Sequence, residues 1–110
     1  MAKIYHKPRA KVTCDTSRYE QYRDHFEAAS NSAKGIILTY PTNFDAASAR
    51  MNFYALRRMD RRNNAIIYPP TDGMHRRSAY DDIIVRLVDN ELHLVKLERE
   101  QINPTIREIA

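Results

Sequence analysis

A chain of 110 residues, 43% of them hydrophobic, suffices for one domain with its own core. The single cysteine, Cys14, excludes an internal disulfide, and no Cys/His spacing fits a zinc finger. The charged N-terminus lacks a signal-peptide core, and no apolar run approaches a membrane span. These features predict a cytoplasmic protein with no membrane partner.

The net charge of +4 is modest, but its distribution is not. Seven arginines lie between Arg50 and Arg77 against only Asp60 and Asp72, so the rest of the chain is near neutral. Thirteen of the 18 basic residues are arginine, whose planar fork suits bidentate contact with phosphate or carboxylate and stacking on flat rings.

Residues 1–15 alternate weakly around Pro8 and read as an edge strand near 10–14, a cationic arm or, the reading favoured for a terminus, a solvated segment. Ser17-Arg-Tyr-Glu20 fits a capping box, and Tyr19, Tyr22, Phe26, Ala29 and Ala33 follow at helical spacing. A helix is therefore predicted over about 18–33, with Gly35 as its left-handed stop. Its tyrosines read as core, and His25 falls off the stripe.

Gly35 to Tyr40 is a short apolar run of the kind buried in a sheet. Thr42 and Asp45 then cap a second helix predicted to end near Arg62, roughly 30 Å long. On it, Arg50, Tyr54, Arg57, Arg58 and Arg61 share one third of the circumference, while Ala49, Phe53, Leu56, Met59 and, at the margin, Ala55 fall on the other side with Asn52 among them, a side that can pack on a core. The crowding of Arg57, Arg58, Arg61 and Arg62 also suits the negative end of a helix dipole. Asn63-Asn64 reads as the exit and Ala65 to Tyr68 as another strand. Together these elements predict a βαβ crossover between parallel strands.

Pro69 to Tyr80 has no periodicity, and a segment of this length is often functional or mobile. It carries His75, Arg76 and Arg77 and is expected to fold back beside the basic end of the helix. Asp82–Val88, Asp89-Asn90 and Glu91–Leu97 read as a β-hairpin. Ile83, Val85 and Leu87 face inward with Leu92 and Leu94, while Arg86 and His93 face out. A slip at Leu94-Val95 permits a bulge. The tail from Glu98 contributes Ile102, Ile106 and Ile109, which could dock on this subunit or on another.

The fold expected is α+β: a small two-layer domain in the order (β)-α-β-α-β-β-β, with a mixed three- to five-stranded sheet against two helices. Its expected core includes Tyr22, Phe26, Ile36, Leu38, Phe53, Leu56, Ile66, Ile83, Val85, Leu87, Leu92 and Leu94.

No P-loop, dinucleotide fingerprint, nucleophile elbow or zincin motif occurs. Asp81-Asp82 is a poor metal site, because neighbouring strand residues point to opposite faces. The chain reads as non-catalytic, with no cofactor and no metal. The one catalytic alternative is a metal-independent ribonuclease using His75, Arg76, Arg77 and Tyr80.

The functional expectation is a binding protein for phosphate-bearing ligands, nucleic acid first, through Arg50, Tyr54, Arg57, Arg58, Arg61, Arg62, His75, Arg76 and Arg77. The alternatives are a small anionic nucleotide or a protein partner in an assembly module. The compact, motif-poor, arginine-biased character is common among small phage and mobile-element proteins. Exposed strand edges and the apolar tail make a homodimer plausible.

Overall fold

The computed structural model describes residues 12–97. Residues 12–16 have no regular structure, and the rest of the expected N-terminal strand or arm lies outside the described residues, as does the tail at 98–110. The first helical segment begins with a single 3-10 turn, Ser17–Tyr19, and continues as helix α1, Glu20–Ser30. The predicted capping box does not form. Ser17 instead donates its backbone N–H to Asp15 Oδ1 at 2.9 Å, an Asx turn that competes with capping.

Strand β1 is Ile36–Thr39. Gly35 takes the predicted positive φ of 83°, but it lies beyond the helix end, where the chain turns into β1. A Cβ there would sit 2.4 Å from the Leu94 carbonyl oxygen, so any other residue would push β1 away from its neighbour.

Helix α2 runs Asn43–Ile67, capped by Thr42, whose Oγ1 accepts from the Asp45 N–H at 3.1 Å. It absorbs the strand predicted at 65–68, so the crossover into that strand does not exist. Proline ends the helix instead: Tyr68 is extended (φ −107°, ψ 139°), the region favoured by a residue preceding Pro69. Asn63 and Asn64, read as an exit signal, are tertiary anchors. Asn63 exchanges hydrogen bonds with the backbone of Cys14, and Asn64 donates to the Arg77 carbonyl. The longer helix also removes the dipole account of its arginines, because its last turn carries no basic residue.

The hairpin is β2, Ile83–Val88, and β3, Glu91–Lys96, in unbroken register with no bulge. Asp89 at φ 54° makes the tight reversal, a conformation that Asp tolerates better than most residues. The sheet has the order β1-β3-β2 with both pairings antiparallel, so it is neither mixed nor larger than three strands among the described residues. The α+β class stands. Strands β1 and β2 run the same way but are separated by β3, so α2 joins them across an intervening strand.

One sheet face meets the helices. Ile36, Leu94 and Val85 form one cross-strand row and Leu38, Leu92 and Leu87 the next. Above them pack Phe26, Ala29, Ala46, Ala49, Phe53 and Leu56. Phe26 sits at the centre, edge-on to Phe53 at 4.9 Å and stacked on Tyr80 at 4.8 Å. Every expected core residue joins this cluster or packs against it except Ile66, which is exposed on the helix extension.

Candidate anion-binding site at the end of helix α2

The arginines of α2 divide between two sides. Arg57 and Tyr54 lean toward the outer edge of β2, where strand carbonyls would otherwise lack partners. Arg57 Nη1 donates to the Ile83 carbonyl at 2.7 Å and to that of Tyr80 at 3.3 Å. One turn back, the Tyr54 hydroxyl donates to the Val85 carbonyl at 3.3 Å. The Arg57 guanidinium also lies over the Phe26 and Tyr54 rings, 5.7 and 5.2 Å from their centroids. Burial pulls its pKa below the ordinary arginine range, and the charge of Arg61 adds to the effect. Arg50 continues the row, and its buried Nε has no hydrogen-bond partner among the described residues.

Arg61 is paired with the chain's own carboxylate. Its Nε and Nη2 both reach Asp81 Oδ1, at 2.9 and 2.6 Å. Asp81 Oδ2 in turn accepts from the Ser78 backbone at 3.0 Å, so this pair fixes the approach to β2.

A third internal guanidinium is absent from the residues singled out by sequence. Arg23 of α1 grips Asp60 of α2 through two bonds, 2.9 and 3.1 Å, and adds Thr16 at 3.3 Å. Asp60 is only 9% exposed. Its hydrogen bonds raise the Arg23 pKa above the ordinary arginine value, with burial acting in opposition. A charged residue at core phase on α2 (Asp60 follows Phe53 by seven and Leu56 by four) is the signal available.

Arg58, Arg62, Arg76 and Arg77 remain exposed, and no ion pair engages them among the described residues. Arg58 and Arg62 share a helix face one turn apart. Arg62 lines a concavity of about 450 Å³ with His75 and Arg76 from the following segment. Its apolar parts are Val12, Ala65, Ile66 and Pro70, and Cys14 and Asn63 complete it.

The 69–82 segment is a chain of pinned turns. Asp72 caps the Met74 N–H at 2.8 Å, and successive backbone bonds close at Asp72, His75 and Arg77. His75 Nδ1 lies 2.7 Å from the Tyr68 carbonyl. A carbonyl only accepts, so the proton belongs on Nδ1, and a neutral ring keeps Nε2 as an acceptor. Arg76 is held at φ 60°, a left-handed turn conformation that a non-glycine residue adopts at some cost.

Tyr80 lies elsewhere. It is buried in the core, and its hydroxyl donates to Glu27 Oε1 of α1. Burial and that acceptor both raise its pKa. The grouping of His75, Arg76, Arg77 and Tyr80 considered for phosphodiester cleavage therefore does not assemble around one point. Among the described residues no cluster of metal-ligating side chains occurs, and no helix is long and apolar enough to cross a membrane.

Of the nine residues singled out from the sequence, the fold thus gathers Arg62, His75 and Arg76 at one concavity. It leaves Arg58 and Arg77 exposed, turns Tyr54, Arg57 and Arg61 toward internal partners, and half-buries Arg50 away from the concavity. Comparison with protein-family models, with curated proteins and with solved structures gives no match to this chain.

Proposed function

We propose that the chain binds nucleic acid at the C-terminal end of α2, with Arg58, Arg62, Arg76 and Arg77 contacting phosphates. The observation that carries this reading is the meeting of Arg62, His75 and Arg76, from two separate elements, around a concavity with an apolar wall. Exposed guanidiniums without internal carboxylates keep their charge for an outside anion. The apolar wall of Val12, Ile66 and Pro70 suits a sugar or base rather than a second phosphate. His75 can accept a hydrogen bond there through Nε2.

Fluorescence anisotropy with labelled single strands and duplexes about 20 nucleotides long, titrated over a range of salt, tests the reading. Three to four phosphate contacts predict a log–log salt slope of about −3, and Arg62→Ala with Arg76→Ala should flatten it by about 1.5. Affinity indifferent to ionic strength, or unchanged in that double variant, overturns it. One observation favours a smaller ligand: the concavity volume falls within the range of small-molecule sites. Thermal stabilisation by mononucleotides, without oligonucleotide binding, would select that alternative.

A further inference from the structure

Helix α2 carries a second stripe, on the side away from the core, and Ala55 and Met59, expected on the core-packing side, lie on it half-buried instead. Phe44, Ser48, Met51, Ala55, Met59, Arg62 and Ile66 recur at steps of four and three, the spacing of a helix–helix seam. The stripe is apolar but for Ser48 and Arg62. None of its residues is buried, and Phe44 and Met51 are 78% and 63% exposed. Neither α1 nor the sheet covers it. Contacts to α1 and the segment before it leave from Asn52, Phe53, Asp60 and Asn63, and contacts to β2 leave from Tyr54 and Arg57.

We propose that this seam pairs with the same seam of a second copy, antiparallel, across a two-fold axis at Ala55. The sequence of side chains is what selects a copy of the chain as the occupant. Counted outward from Ala55, the steps are the same both ways, and each pair they set opposite is matched. Met51 opposes Met59, and Phe44 opposes Ile66. Ser48 opposes Arg62, a small polar residue beneath a long cationic one. A two-fold interface requires this self-complementarity. Alanine at the axis permits close approach, and the paired methionines adapt to the gap on either side of it.

Charge selects the direction. Asp45 is the acidic residue of the first turn, whereas Arg58 and Arg62 lie in the second half. Antiparallel pairing sets the acidic first turn of the second copy beside the basic half of this helix, while the Arg62 stem covers Ser48 of that copy and its guanidinium stays at the concavity. It also opposes the two helix dipoles favourably. Parallel pairing would set Arg58 and Arg62 against themselves.

The seam spans about 33 Å of helix. It would bury on the order of 500 Å² per copy, below the ~800 Å² per partner of a standard interface, which places the dimer among weak, transient associations. One consequence reaches the anion site: Phe44 of the second copy comes to rest beside Ile66, adding an aromatic ring to the wall of the concavity. That consequence depends on the proposed function, whereas the dimer itself does not.

Sedimentation velocity of the full chain without nucleic acid, from about 1 to 200 µM, should show a concentration-dependent dimer. Met51→Lys should hold it monomeric with an unchanged circular dichroism spectrum and melting temperature. In a Cys14→Ser background, Ala55→Cys should cross-link to a dimer under mild oxidation, while Ala28→Cys on the exposed side of α1 should not. A monomer at every concentration overturns the proposal. So does a dimer that persists in Met51→Lys and gives no Ala55→Cys cross-link. Either result leaves the anisotropy experiment free to succeed or fail by itself.

Discussion

Arg57 and Arg58 adjoin in sequence and serve different surroundings. Arg57 turns inward over Phe26 and satisfies two carbonyls at the start of β2, while Arg58 stands in solvent without an ion-pair partner among the described residues. One helical step of about 100° separates them. The same division recurs between Arg61, bound to Asp81, and Arg62, which lines the concavity. A run of like charges on a helix is therefore two populations, and only the one without internal partners is available to an outside anion.

Mutations at the two populations should sort by what they disturb. Asp60→Ala should cost most, about 3 kcal/mol in urea denaturation, because it leaves the Arg23 guanidinium between the helices with only Thr16 and the longer contact to Glu20 at 3.6 Å. That figure is at the low end for a buried pair, since the Arg23 side chain is 27% exposed. Arg57→Ala should cost about 2 kcal/mol by leaving the Ile83 and Tyr80 carbonyls with fewer donors at the sheet edge. Arg62→Ala with Arg76→Ala should stay within about 0.5 kcal/mol of the parent while weakening anion binding. A large loss of stability in that last variant would erase the distinction.

Alkaline pH probes the inner population's surroundings. The Tyr80 pKa is raised in the folded state, so the fold binds its proton more tightly than the unfolded chain does. That contribution is complete below the ordinary tyrosine pKa of about 10 and is lost as pH rises through the higher folded value. Stability should fall above about pH 10, and Tyr80→Phe should reduce the slope. Equal slopes in the two proteins would assign the loss to other groups, Tyr40 among them, whose pKa burial also raises.

Patterns that depend on nearest neighbours are legible in the chain. Phe26 and Ala29 on one stripe, the Thr42 cap, and the alternation of Ile83, Val85, Leu92 and Leu94 each follow from local periodicity. The end of α2 is misleading because Ala65 to Tyr68 satisfies strand and helix preferences alike. Asn63 and Asn64 resemble an exit until their distant partners, Cys14 and Arg77, are known. Tyr80 reads as part of a loop site because nothing local reveals that its ring stacks on Phe26.

The order of residues by itself determined the two helices, the hairpin, the inward faces and the excess of arginine between positions 50 and 77. Tertiary structure alone decided which guanidiniums meet carbonyls or carboxylates and which face water. Helical phase repeats every few residues and can be read along the chain. A hydrogen-bond partner 20 to 49 positions away is chosen only when the sheet edge and the turns before β2 are packed against the helix.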